Sequence, residues 1–149
     1  MRVLVADELP EPYLSELRAL GLDVAYAPAA TADELASGGA LGGADVLVVR
    51  STRVTRAAIE RGDRLALVVR SGAGVDTIDV AAASERGVLV ANCPGKNSAA
   101  VAELAMGLII ALDRRIADAT EDLRAGRWNK KQYGRAAGLK GKTLGIAGL

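Results

Sequence analysis

Histidine is absent from the 149 residues, and cysteine occurs once, as Cys93. The first absence removes, within this chain, a histidine general base, a Ser-His or Cys-His nucleophile pair and a histidine-ligated metal. The second leaves no intrachain disulfide and favours a reducing compartment, so a cytoplasmic setting is expected. Aromatic side chains are scarce: Tyr13, Tyr26, Trp128 and Tyr133. The core must therefore come from Val, Leu, Ile and Ala, and the stacking platforms of single-strand nucleic-acid binders are missing. Neither sign of charge dominates. Nineteen Lys and Arg against eighteen Asp and Glu leave +1, which offers no bulk attraction to nucleic acid or to an anionic membrane. Apolar runs are short. Val3 to Ala6 reads as a strand, not as the core of a targeting signal. Residues 98–115 fall below the roughly 20 apolar residues of a membrane span and carry Glu103.

What is present is an alternation of apolar runs with helical stretches. Val3 to Ala6 is apolar throughout, as in a strand covered on both faces. Leu14, Leu17 and Leu20 share one helical face, and Gly21 ends it. Leu22 to Tyr26 is a weaker second strand, and Thr31-Ala32-Asp33-Glu34 opens a short helix with a capping residue and an acidic first turn. Val46 to Val49 is a strand, Thr55 caps a helix through Ile59, and Leu65 to Val69 is the next strand. Asp79 caps Val80 to Arg86 before the strand Val88 to Val90. Such alternation predicts a parallel sheet with helices on both faces, an α/β fold. Ser98 to about Arg115 is then helical and apolar on nearly every side. Such a helix is buried, either as the core of a single domain or as a connector of two domains that packs on a second subunit; the second is taken forward. Ala117 to Ala125 is a further helix stopped by Gly126, and Gly126 to Lys142 reads as a polar connection.

In an open parallel sheet, ligands sit beyond the carboxyl ends of the strands. Three neighbouring strands deliver Arg50-Ser51-Thr52, then Arg70-Ser71-Gly72-Ala73-Gly74, then Asn92 to Ser98. Arginine can fork onto a carboxylate or phosphate. The Gly72-Ala73-Gly74 turn lets backbone N–H groups approach an anion closely. Asn97 and Ser98 stand at a helix N-terminus, which favours negative charge. Taken singly these features are a surface salt bridge, a tight turn and a helix cap. Taken together they predict a site for a small carboxylate or phosphate ester. The acceptor aspartate of a phospho-receiver domain would occupy the place of Arg50, so that reading is dropped.

The chain closes on Thr143 to Leu149, read as an apolar strand running into glycine. A dinucleotide fingerprint, G-x-G-x-x-G, begins in this way, with Gly148 as its first glycine and the remainder expected after Leu149. Gly141-Lys142-Thr143 resembles the end of an ATP-binding loop. Ala136 stands where that loop needs its first glycine, and the strand follows rather than precedes it.

With these residues assembled, the chain resembles the D-isomer specific D-2-hydroxyacid dehydrogenase family, and within it the 3-phosphoglycerate dehydrogenase branch. The landmarks are Val49-Arg50-Ser51, Arg70 to Asp79, Asn92-Cys93-Pro94 with Asn97-Ser98, Val101-Ala102-Glu103-Leu104, Gly126-Arg127-Trp128 and Leu139 to Leu149. The resemblance implies a flavodoxin-like substrate domain over residues 1–96. It implies the truncated start of a Rossmann nucleotide-binding domain over 97–149. It implies hydride transfer between NAD and a D-2-hydroxy (or 2-oxo) acid, 3-phosphoglycerate foremost, as the first step of serine biosynthesis. NAD against NADP stays open. Arg50 and Ser51 would meet the acidic end of the substrate, the amides of Ala73 and Gly74 its carboxylate, and Asn97 would hold it beside the nicotinamide. Arg70 and Ser98 would be accessory anion contacts. Residues 98–135, with Glu103 and Trp128, would form a homodimer interface. No catalytic residue and no metal ligand is expected in these 149 residues, so the fragment itself is expected to be inactive. A second class remains beside the enzyme: a non-catalytic, corepressor-like module of the same fold that binds an anion or cofactor.

Overall fold

The structure, a computed structural model, describes residues 1–147 and comprises two compact units, Met1–Asn97 and Ser98–Leu149. The reading of Gly148 as a cofactor-binding glycine thus lies outside the described residues.

In the first unit, β1 (Arg2–Val5), β2 (Asp23–Tyr26), β3 (Val46–Val49), β4 (Leu67–Arg70) and β5 (Leu89–Ala91) form one sheet in the order β2-β1-β3-β4-β5. Every pairing is parallel. Between the strands run α1 (Glu11–Ala19), α2 (Ala32–Ala36), α3 (Arg56–Arg61) and α4 (Val80–Glu85). The expected α/β alternation is therefore the observed one, in the flavodoxin-like strand order.

Alternation along each strand divides the core. Leu4, Leu47, Val49 and Val68 join Leu35 of α2, Ala58 and Ile59 of α3, and Ala82 and Ala83 of α4. Val3, Val5 and Val46 turn to the other face, where Leu14 of α1 meets them. Side chains such as Leu14, Leu35, Leu47 and Ile59 are at most 1% exposed, each stabilising the fold by about 1.5–3 kcal/mol through removal from water. One face thus carries three helices and the other only α1. Beside α1 the second face opens into an apolar groove of about 690 Å³, with Tyr13, Leu17, Leu20, Val48, Leu67 and Val69 in its wall.

The helix starts follow local chemistry. Thr31 accepts from the Glu34 N–H at 3.2 Å while the Glu34 carboxylate accepts from the Thr31 N–H at 2.8 Å, a reciprocal cap. Thr55 accepts from the Ala58 N–H and Asp79 from the Ala82 N–H. After α1 the chain turns at Gly21 with φ +78°, which a residue without Cβ adopts at no steric cost.

The second unit contains α5 (Ser98–Asp113), α6 (Ile116–Arg124) and α7 (Lys130–Tyr133). Within this chain no residue of α5 is buried: Leu104 is 63% and Leu112 78% exposed. The reading of α5 as the core helix of a single domain is therefore not the observed one, while its packing on a second subunit is not tested by a single chain. Two other expectations are corrected. Residues 143–147 form no strand; a strand exists by its ladder of hydrogen bonds, and among the described residues this segment has no neighbour to pair with. The polar connection holds a short helix, α7, whose N-terminal turn is tied to Asp122. That carboxylate accepts from Arg127 at 2.6 and 2.8 Å, from Asn129 at 2.7 Å and from the Tyr133 hydroxyl at 2.6 Å. No described helix is long and apolar enough to cross a membrane.

Candidate acid-binding site at the strand tips

The carboxyl ends of β3, β4 and β5 lie side by side because the strands are adjacent and parallel. Their tips enclose one cavity of about 380 Å³, lined by Arg50, Ser51, Arg70, Ser71, Gly72, Ala73, Cys93, Lys96 and Asn97. This lining contains the cations Arg50, Arg70 and Lys96 and no carboxylate. A small acid entering it would meet a positive field.

Hydrogen bonds between the tips hold this wall. The Arg70 Nε donates to the carbonyl of Arg50 at 3.1 Å, joining the ends of β3 and β4. The Cys93 N–H donates to the Gly72 carbonyl at 2.9 Å, and the Asn92 amide donates to the Ala73 carbonyl at 2.6 Å. The turn after β4 is thereby oriented from β5. Among the described residues, the N–H groups of Ala73 and Gly74 have no hydrogen-bond partner. Gly72 leaves room for the Arg70 guanidinium: a Cβ at this position would stand 2.2 Å from Nη1, so Arg70 could not keep this place beside a larger residue.

Of the residues singled out in the sequence, the structure brings Arg50, Ser51, Arg70, Ala73 and Asn97 to this cavity. Gly74 is not part of the lining; its Cα faces the Asp76 carboxylate, 2.7 Å from where a Cβ would be. Ser98 is the first residue of α5 and belongs to the second unit. Glu103 is exposed on α5, and Trp128 is 77% exposed on the turn that Asp122 secures. The described residues contain no cluster of His, Cys, Asp or Glu suited to a metal.

One residue of the site escaped the sequence reading. Asp7 follows β1, and its Oδ2 accepts from the backbone N–H groups of Arg50 at 2.7 Å, Ser51 at 3.1 Å and Thr52 at 3.0 Å. Burial by itself would raise its pKa, but the N–H groups of Arg50, Thr52 and Ser51 together prevail and hold it below the usual carboxylate value. The signal was available: an acid directly after an apolar strand stands at the same sheet end as the other tips.

This geometry defines an α/β protein with a cavity lined by three cations at the carboxyl end of its sheet. The chain matches the family described as D-isomer specific 2-hydroxyacid dehydrogenase, catalytic domain, over residues 3–143, and it belongs to that family. It is 45% identical over 150 residues to a D-3-phosphoglycerate dehydrogenase of Methanocaldococcus jannaschii, covering 100% of this chain and 28% of that protein. It is 51% identical over 106 residues to a hydroxypyruvate reductase of Thermotoga maritima, covering 70% of this chain and 34% of that protein. The structure of an NAD-dependent formate dehydrogenase from Staphylococcus aureus in complex with NAD superposes with a TM-score of 0.78 at 26% identity, covering 92% of this chain and 46% of that one. The chain thus spans roughly a third or less of the length of these curated relatives.

Proposed function

We propose that the cavity at the tips of β3, β4 and β5 binds a small 2-hydroxy or 2-oxo acid as part of an NAD-dependent oxidoreductase, with 3-phosphoglycerate as the leading substrate. The observation that carries this reading is the cavity lining, with its cations Arg50, Arg70 and Lys96, beside the two unpartnered N–H groups at Ala73 and Gly74. A molecule with one carboxylate and one phosphate offers two anionic ends, and the site offers two kinds of anion donor. The amides of Ala73 and Gly74 take the carboxylate, as backbone N–H pairs do for oxyanions. Arg50, with Ser51, takes the phosphate, Arg70 adds charge, and Asn97 orients the hydroxyl-bearing carbon. The names of the relatives, a phosphoglycerate dehydrogenase and a hydroxypyruvate reductase, support a short hydroxy acid.

The described residues do not fit a dinucleotide, because the segment 143–147 that the fingerprint needs as its strand is unpaired. The cofactor therefore belongs to the proposal for the longer protein, where it accepts or supplies the hydride; NAD is favoured by the formate dehydrogenase complex. Oxidation of a hydroxy acid also needs a base for the O–H proton. With no histidine among the 149 residues, the chain binds substrate but does not turn it over. The bare apolar flank of α5, with Glu103 and Trp128, pairs with a second copy in a homodimer, where Ser98 lies at the helix start. The first unit, through Asn97, serves as the substrate domain, and the second unit contributes to a cofactor domain.

Calorimetric titration of the chain tests this directly. It should bind 3-phosphoglycerate about tenfold or more tightly than glycerate, because a hydrogen bond to a charged group is worth at least that factor. It should also form no NADH from NAD and 3-phosphoglycerate. Equal affinity for the two acids would remove the phosphate from the reading, and heat from neither would remove the site.

A further inference from the structure

We propose that Asp7 is the positioning residue of the acid cavity: its carboxylate gathers the backbone at the tip of β3 and thereby aims Arg50 and Ser51 at the ligand, a role that rests on the acid-binding reading only for its choice of ligand. The ladder between β1 and β3 ends where the Ala6 N–H donates to the Val48 carbonyl at 2.9 Å. Beyond that point β1 no longer accompanies β3, since the chain leaves through Leu9 and Pro10 into α1. The next N–H groups on the β3 side, at Arg50, Ser51 and Thr52, would then have no strand carbonyl to meet. A single oxygen of Asp7 accepts all of them, at 2.7, 3.1 and 3.0 Å. The Thr52 hydroxyl reaches back to the Ala6 carbonyl at 3.3 Å, closing the turn against the end of β1.

Convergence of successive N–H groups on one anion fixes the φ and ψ of the residues between them. Here those residues are the ones whose side chains line the cavity. From the other side, Arg70 holds the Arg50 carbonyl at 3.1 Å. Both backbone polar groups of Arg50 are therefore engaged, the N–H by Asp7 and the C=O by Arg70. The exposed guanidinium gains its direction from this pair of anchors. Asp7 itself is not among the residues lining the cavity, so its negative charge organises the site without facing the ligand directly.

The test separates positioning from stability with two controls. Asp45 does comparable work at the opposite end of β3, where its carboxylate accepts from the Arg2 N–H at 2.7 Å and from Arg64 at 2.9 Å. Asp7→Ala, Asp7→Asn and Asp45→Ala are compared with the parent chain by thermal melting and by calorimetric titration with 3-phosphoglycerate. Asp7→Ala should weaken binding about 10- to 100-fold, the value of one well-placed charge-assisted hydrogen bond. Asp7→Asn, which keeps an acceptor oxygen, should recover most of that loss. Asp45→Ala should lower the melting temperature while leaving affinity unchanged. Relaxation of the ¹⁵N amides at Arg50, Ser51 and Thr52 is read in the same proteins without ligand and should rise to loop-like mobility only in Asp7→Ala. If the parent chain binds no acid, the acid-binding reading fails, and the amide relaxation still decides whether Asp7 holds the turn. Unchanged relaxation in Asp7→Ala, or an affinity loss matched by Asp45→Ala, would overturn the proposal.

Discussion

Replacing Gly72 with alanine places one methyl group where the structure has the Arg70 guanidinium. The new Cβ would lie 2.2 Å from Nη1, 2.7 Å from Cζ and 3.1 Å from Nε, whereas such atoms in contact sit about 3.5 Å apart. Gly72 does not occupy the left-handed region, so its backbone accepts alanine without strain. The side chain of Arg70 must therefore yield by about 1 Å or more, and its hydrogen bond to the Arg50 carbonyl is broken. That bond contributes about 0.5–1.5 kcal/mol net. Alanine returns about 0.4–1 kcal/mol by restricting the unfolded chain. The two nearly cancel, so stability should change by less than about 1 kcal/mol. Affinity for 3-phosphoglycerate should nevertheless fall about 10- to 100-fold as the guanidinium leaves the cavity wall. Urea unfolding and calorimetry on one preparation measure both quantities. A stability loss above about 2 kcal/mol would mean that the backbone gives way rather than the side chain. Wild-type affinity with unchanged stability would mean that Arg70 does not face the ligand.

Leu47 lies at the centre of the sheet, fully buried among the residues that pack beneath α2, α3 and α4. Leu47→Ala should cost about 2–5 kcal/mol of unfolding free energy through reduced burial and the cavity left behind, read as a lower urea midpoint; a cost under about 1 kcal/mol would contradict the packing described. In the second unit, the Tyr133 hydroxyl, Asn129 and Arg127 hold the Asp122 pKa at about 2, below its ordinary 3.8. A depressed carboxylate pKa stabilises the fold above its unfolded value, and that contribution disappears as pH falls through the folded one. Trp128 fluorescence should therefore change between about pH 4 and pH 2, and Tyr133→Phe should move the change to higher pH; a midpoint unaffected by Tyr133→Phe would separate the fluorescence change from Asp122.

The elements of the first unit and their alternation were legible in the residues alone. Runs such as Val46 to Val49 are short, rich in β-branched residues and bounded by loops, and so read as buried strands. Thr31, Thr55 and Asp79 announced helix starts because capping is a contact between a side chain and its own next turn. The candidate site was legible to the same depth, since strand ends are local features: Arg50 follows β3, Arg70 closes β4 and Asn97 lies on the segment leaving β5. What depends on contacts distant in sequence came from the packed chain. That Asp7 anchors residues more than forty positions away could not be read from any window around it. That Arg70 turns back to the Arg50 carbonyl, across Gly72, follows from β3 and β4 lying side by side. The bare flank of α5 and the unpaired segment 143–147 make the same point from the other direction. A hydrophobic pattern states that a surface must be covered or a strand paired, and only the assembled chain supplies the neighbour.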